Sequence, residues 1–519
     1  MPAYATIVNL TPHNFKHVGG LKPYQFYKWD FDDIPSSKGR RNDAWYKQAG
    51  VDLTTTNGYA YYEIEGTNQK FNVHVTTNMD DVRCPQRIWF DLQGMGMGAK
   101  EYTVPSSQRP VTLVIGGSKE YGFFTSLQFG KYNWMKDMYD VIKDRKLHHV
   151  VVPGSHDAAM NNITMAGWWG FGSADNTETQ SLDLYKQLKV GSRYFDMRIS
   201  SVNNGKFYGA HVSDELGKTP AGATGPSLDD LIIGINRFSN DYPGEFVVWY
   251  IKYMTDLSIK GGTYWSEDKI KEFYDKLETI HNRCPGDLAG NTALNELPIS
   301  TFMNANDGKR CVLLLIDGCF DPKLNGQTFV RPDKGIFFGP PALARSDVWA
   351  QEAYAGRNGI WEVNFLTRNL NRDDRSGSQV DNYYIMQWQC TPVLDSIQPV
   401  AVYESNPTLY YYGLNYMTPK TFPTVILHDA VGLFRTDQIT EKYYDPTMQV
   451  FVRGLNLYMV SQNCKVSKSK NPLVRPPNRS KKAVAASDHF DGIIFANGTT
   501  LDTVPNGFCF SQASCPRLN

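Results

Sequence analysis

The sequence predicts an α/β fold: a (β/α)8 TIM barrel preceded by an all-β, sandwich-like domain. Three observations carry this. Up to about residue 128, short apolar runs alternate with Gly, Asn and Pro, and no helix-length periodicity interrupts them. Beyond that point, eight apolar strand candidates recur between connections mostly long enough for a crossover helix. No GxGxxG or GxxxxGK[ST] pattern follows the first of these strands, which leaves an open doubly wound sheet as the second choice. The chain therefore divides into residues 1–128 and 129–519.

In the first part the strand candidates are YATIVNL, YAYYEIEG, KFNVHVTTN, RIWFDL and VTLVIGG, expected to pair as an antiparallel sandwich with Trp29, Trp45 and Trp89 in its core. Lipid or surface targeting is the role open to such a domain. The pattern then changes: in KYNWMKDMYDVIKDRKLHH, Trp134, Met135, Met138, Tyr139 and Ile142 fall at helical spacing. The barrel candidates follow as HVVVPG, SRYFDMRI, KFYGAH, EFVVWYIKYM, CVLLLIDG, YYIMQWQ, TVILHD and DGIIFAN. Residues 465–482, KVSKSKNPLVRPPNRSKK, read as a solvated basic loop, and Tyr410, Tyr411, Tyr412 and Tyr416 as packing residues.

Charge and composition remove several function classes. With 53 basic and 53 acidic residues, no global field favours nucleic acid. No run approaches the roughly 18 apolar residues of a membrane span, and MPAYATIVNL lacks the regions of a secretory signal. The compartment is left open, since a cytoplasmic protein and one exported by another route fit equally well; contact with membranes is expected to be peripheral. Asn162, Asn478 and Asn497 open N-x-Ser/Thr triplets, which decide nothing without a signal. Eight cysteines without a CxxC pair fit neither a disulfide scaffold nor a zinc site; most are expected as buried thiols, with Cys509 and Cys515 close enough in sequence to bridge.

The stretch VVVPGSHDAAM places His156 and Asp157 where a buried strand stops at Pro153 and Gly154. Other strand ends add Asp196 and Arg198, two apart and so on one face, then His211, then His428 and Asp429. Buried charges are costly unless paired, so clustering at C-terminal strand ends marks a site. Two histidines with an arginine suit phosphoryl transfer: one ring removes a proton from an attacking hydroxyl, the other protonates the leaving oxygen, and the guanidinium stabilises the phosphoryl oxygens.

PGSHDAAM, GSRYFDMRI, GAH and PGEFVVWYIK, in that order, resemble the catalytic X region of phosphatidylinositol-specific phospholipases C and the wider phospholipase C-like phosphodiesterase superfamily, over roughly residues 130–435. The resemblance implies a phosphoric diester hydrolase acting on a phospholipid. His156 would be the general base, oriented by Asp429; His211 the general acid, paired with Asp157; Arg198 the phosphate clamp, with Asp196 supporting it. Arg198 stands where calcium-dependent members carry an acidic ligand, so no metal or other cofactor is expected. Lys252 matches a substrate-facing lysine of the bacterial enzymes. Asp317 replaces their arginine, Gln387 and Gln389 replace an Asp and a Tyr, and Val212 follows His211 in place of glycine. The catalytic set is intact and the head-group set altered. The alternative is a lipid- or glycan-binding protein that keeps the barrel as a scaffold.

Overall fold

The computed structural model describes residues 2–461, apart from 22, 48, 81–84, 105–109, 129–131, 167–172, 203–204, 213–221, 259–262, 289–292, 318–329, 340–344, 350–382, 390–395, 418–421 and 438. DGIIFAN, the basic 465–482 loop, and Cys509 and Cys515 lie outside these residues.

Residues 2–125 form two five-stranded sheets. One runs in the order Gly122–Thr125, Pro110–Ser118, Pro2–Leu10, Lys38–Tyr46, Phe26–Asp30; the other is Phe15–His17, Asn57–Ile64, Lys70–Thr77, Gln86–Asp91, Ala99–Val104. Alternation sets which face is buried: Ala60, Tyr62 and Ile64, with Phe71, Val73 and Val75, meet Ala3, Ala5 and Ile7 in one apolar core. The purely antiparallel expectation needs correction, because Pro2–Leu10 and Pro110–Ser118 pair in parallel. Trp29 packs at the rim of this core, whereas Trp89 is exposed on the outer face of its sheet.

The second part is a curled, largely parallel sheet. Its parallel pairings follow the chain: Val152–Ser155 pairs with Tyr194–Ser201, that strand with Glu245–Asp256, then Arg310–Ile316, then Ile336–Phe338. On the other side, Arg345–Trp349 pairs with Tyr383–Gln387 and that with Val425–His428. Val425–His428 then pairs in parallel with Val152–Ser155, so the last described strand meets the first. Between Ile336–Phe338 and Arg345–Trp349 no pairing joins the described residues. KFYGAH is not a barrel strand: Phe207–Val212 runs antiparallel to Tyr194–Ser201 and to Gly222–Ser227, as a hairpin beyond the strand end. Ile336–Phe338 and Arg345–Trp349 are parallel strands of this sheet that were not among the sequence candidates.

Alternate residues face inward and outward. Outward, Phe195, Met197, Trp249, Ile251, Leu314 and Ile316 receive the helices Leu228–Asp241 and Glu267–Leu277. Both helices start at a serine whose hydroxyl accepts from a backbone N–H three residues on, Ser227 from Asp230 and Ser266 from Lys269. Their apolar residues recur at three- and four-residue intervals, as in Leu228, Leu231, Ile232 and Ile235. Inward, Tyr194 stacks with Tyr250 and packs against Tyr383, each with ring centroids 6.2 Å apart, forming a floor below the strand ends.

The expected helix at 131–149 is two short pieces, Trp134–Asp137 and Tyr139–Ile142, with Trp134, Met135, Met138 and Ile142 buried. The helix Thr447–Ser461 joins the two parts: Val8, Leu10 and Val114 of the sandwich share one core with Val450, Phe451 and Leu455, and Asn456 exchanges two hydrogen bonds with the Val151 backbone. Tyr410 is buried in the same core, with Tyr411 half-buried beside Arg41 of the sandwich. Cys284 and Cys311, expected as thiols, are joined by a disulfide at the start of Arg310–Ile316.

Candidate active site

The strand Val152–Ser155 ends at Ser155, which pairs with His428, and the chain then turns through His156 and Asp157. Asp157 sits at φ +40° and is fully buried. That turn directs the His156 ring at the residue following Val425–His428: His156 Nδ1 donates to Asp429 Oδ1 at 2.7 Å. Its other ring nitrogen, Nε2, accepts from the Arg198 guanidinium at 2.9 Å. Because arginine only donates, this fixes the neutral ring as the Nδ1–H tautomer with a lone pair on Nε2.

Arg198 and Asp196 leave the same face of Tyr194–Ser201. The Arg198 Nε contacts Asp157 Oδ1 and lies 3.4 Å from Asp196 Oδ2. Lys252, opposite Arg198 on the neighbouring strand, reaches Asp196 Oδ1 at 3.1 Å. The hairpin brings in His211, whose Nδ1 lies 2.8 Å from Asp157 Oδ2. Its placement needs glycine: a Cβ on Gly209 or Gly225 would collide with the Ala159 backbone, so only bare backbone lets this hairpin lie against the turn after Asp157. His156, His211, Arg198, Asp157, Asp196, Asp429 and Lys252 are thus one connected network.

Burial disfavours every charge here, and the pairing decides the outcome. For His156, desolvation is outweighed by Asp157 and Asp429, and its pKa is raised above the ordinary 6.5. For Asp157, burial is outweighed by Arg198 and the two histidines, which hold it below the ordinary carboxylate value. Lys252 and Arg198 do the same for Asp196. Burial raises Asp429, with His156 as the opposing influence.

Asp317 and the two glutamines occupy the flanks. Asp317 follows Arg310–Ile316, its N–H donating to the Ile251 carbonyl at 2.9 Å, and its carboxylate accepts from the Tyr250 hydroxyl at 3.0 Å. Gln387 ends its strand beside Leu427, and Gln389 donates to it at 2.8 Å. Asp317, Gln387 and Gln389 therefore lie at strand ends on either side of the network. His428, grouped with Asp429 by sequence, does not join it. It lines a cleft shared with Tyr102, Tyr410 and Asp445, and burial pushes its pKa down to about 4, leaving it neutral.

Among the described residues, His156, Asp157 and Asp196 are the set whose ligand-type atoms approach within 4.8 Å. Both carboxylates face fixed cations, Asp157 the Arg198 guanidinium and Asp196 the Lys252 ammonium, which compete with any ion for the same oxygens.

Sequence reasoning missed the residues that hold these turns. Gln180 is fully buried and bonds to the backbone at His156, His428 and Val431; Gln187 takes the Ser155 hydroxyl and bonds to the Ala158 carbonyl. Gln180 lies in a loop, where no periodic signal could have found it, and Gln187 is a glutamine within the short helix Leu184–Lys189, whose letter reads as an exposed position.

No protein-family model matches the chain. A PI-PLC X-box domain-containing protein of Dictyostelium discoideum is 35% identical over 204 residues, covering 34% of this chain and 25% of that protein. A PI-PLC X domain-containing protein of the same organism is 34% identical over 102 residues, covering 17% of this chain and 18% of that protein. The chain thus spans about a quarter or less of the length of these relatives. Among solved structures, a mutant of the phosphatidylinositol-specific phospholipase C of Staphylococcus aureus is 15% identical, covering 63% of this chain and 99% of that chain, with a TM-score of 0.40. Another structure of the S. aureus enzyme is 17% identical, covering 62% and 96%, with a TM-score of 0.40.

Proposed function

We propose that this chain, which resembles the PI-PLC X-region proteins, is a metal-independent phosphoric diester hydrolase that cleaves the head-group phosphodiester of a phospholipid. The observation that carries this is His156, with Nδ1–H held by Asp429 and an Nε2 lone pair beside Arg198. In this reading Nε2 takes the proton of the attacking hydroxyl, and Arg198, next to it, holds the phosphoryl oxygens. His211, turned by Asp157 through Nδ1, presents Nε2 to the leaving oxygen. Asp196 and Lys252 fix the guanidinium side of the site, with Lys252, Asp317, Gln387 and Gln389 facing the head group.

With a hydroxyl next to the ester on the head group, attack is intramolecular and yields a cyclic phosphodiester and diacylglycerol; nucleophile and phosphorus are then already in proximity. Without one, water attacks under the same base. The reading also takes the parallel sheet as a closed (β/α)8 barrel. Peripheral membrane contact is supported by Val18, Leu21, Tyr24 and Tyr27, exposed within ten residues of the sandwich. No helix among the described residues is long and apolar enough to cross a membrane.

The test is release of water-soluble phosphorus from phosphatidylinositol vesicles in excess chelator, beside a His156→Ala, His211→Ala double variant. Release by the native chain alone supports the proposal; silence with and without added calcium, across a panel of head groups, overturns it.

The pH dependence follows from the His156 shift. The base must be unprotonated, and its pKa lies above 6.5, so kcat/KM should fall as pH drops through a value above 6.5. Asp429 raises that pKa, so Asp429→Asn should move the acid limb to lower pH while reducing the plateau. A pH–rate profile of both proteins checks the sign.

A further inference from the structure

We infer that Thr179 and Gln180 are positioning residues, a clamp across the two turns that carry His156 and Asp429; this rests on His156 being the base. The ladder between Val152–Ser155 and Val425–His428 ends at the pair Ser155 and His428, followed by one bond from the His156 N–H to the His428 carbonyl at 3.2 Å. His156 and Asp429 both lie past that end, so strand pairing does not fix them. Each is followed by a residue in the left-handed region, Asp157 at φ +40° and Ala430 at φ +52°. A side chain with a Cβ disfavours that region, and such a turn persists only where its surroundings hold it.

Thr179 and Gln180, both fully buried, supply that hold on both sides at once. The Thr179 hydroxyl faces the Asp157 carbonyl at 3.1 Å and the His156 carbonyl at 3.3 Å, while its own carbonyl accepts from the Ala430 N–H at 2.8 Å. Gln180 Nε2 donates to the His156 carbonyl at 2.8 Å and the His428 carbonyl at 3.2 Å, and Oε1 accepts from the Val431 N–H at 3.0 Å. The Gln180 N–H is anchored on the Met160 carbonyl at 3.0 Å. Thr179 thus bonds to both left-handed residues, and Gln180 to residues adjoining each of them. Neither side chain is within hydrogen-bond reach of the His156 ring, whose polar neighbours are Asp429, Asp157 and Arg198. Their effect on chemistry is therefore indirect, through the 2.7 Å contact between His156 and Asp429.

Two readouts test this on the full chain. The His156 Nδ1 proton, bonded to a buried carboxylate, should give a downfield proton resonance, assigned by its loss in His156→Ala. Thr179→Val, which keeps shape and removes the hydroxyl, and Gln180→Leu should shift or broaden that resonance. Both should lower kcat on phosphatidylinositol micelles by about 10–100-fold, the cost typical of removing an orienting partner, with KM within about 2-fold. Thr179→Ser, which keeps the hydroxyl, should stay near the native values. A lowered Tm with the resonance and kcat unchanged would mean the pair only packs the fold, and would overturn the inference. If Gln180→Leu fails to melt cooperatively, Thr179→Val decides. The resonance needs no substrate, so a native chain silent on every lipid counts against the hydrolase reading while the clamp is still judged.

Discussion

His211→Ala is expected to lower kcat on phosphatidylinositol by about 10²–10⁴-fold, the range for losing a general acid or base, and the loss should depend on the leaving group. An alkoxide such as diacylglycerol leaves poorly without a proton. A nitrophenolate leaves without one, so with a nitrophenyl phosphodiester of the same head group most of the His211→Ala defect should disappear. His156→Ala should be crippled on both substrates, because deprotonation of the attacking hydroxyl is needed whatever leaves. The two histidines occupy different environments, one on Asp429 and the other on Asp157, which is why their variants should separate. Equal defects on both esters for both variants would remove the division of roles.

Glu245→Ala should have the largest effect on stability, about 3–5 kcal/mol, the cost of stranding one partner of a buried ion pair. Arg193 and Glu245 are both fully buried, with Arg193 Nη2 2.6 Å from Glu245 Oε2. The guanidinium also donates to the carbonyls of Leu188, Ser192 and Tyr132, and Glu245 accepts from the Lys136 N–H at 2.9 Å. One carboxylate thus ties the short helix at Trp134–Asp137 to the starts of two strands of the parallel sheet. Burial opposes charge on both groups, raising the pKa of Glu245 and lowering that of Arg193, so removing the carboxylate leaves a cation with carbonyls alone. Urea unfolding of the native and variant chains measures the difference. The pair is at the strand starts, away from the histidines, so whatever remains folded should keep the native pH profile.

The cluster of His156, Asp157, Asp196, Arg198, His211 and Asp429 was legible because its residues follow apolar runs at strand ends, where an unpaired charge is costly. Asp317, Gln387 and Gln389 were legible only as strand-end positions, because the fold, not the local sequence, sets their partners: the Tyr250 hydroxyl for Asp317, and each other for the glutamines. Period-two alternation revealed Asn57–Ile64 and Lys70–Thr77, but it does not encode direction, so the antiparallel hairpin Phe207–Val212 was taken for a parallel strand. Lys38–Tyr46 escaped notice because Arg40, Arg41, Asn42 and Asp43 hide a strand whose polar groups are paired: Asn42 donates to the Ala5 carbonyl, and Asp43 meets Lys28. Ile336–Phe338 was too short and Arg345–Trp349 too polar to stand out. The clamp at Thr179 and Gln180 was invisible for a deeper reason: its partners are backbone atoms of turns distant in sequence, and backbone atoms leave no letter.

The meeting of the first strand with the last has a temporal consequence. His156 and Asp429 are 273 residues apart, and no local segment contains both. During synthesis the ribosome releases a chain with His156, Arg198 and His211 long before Asp429 emerges, and His156 lacks its Asp429 partner until Val425–His428 docks beside Val152–Ser155. Contacts of such long range form late, after the entropy of closing the intervening chain has been overcome. If the proposed hydrolase reading holds, a nascent or partly unfolded chain should be inactive until that docking brings Asp429 to His156.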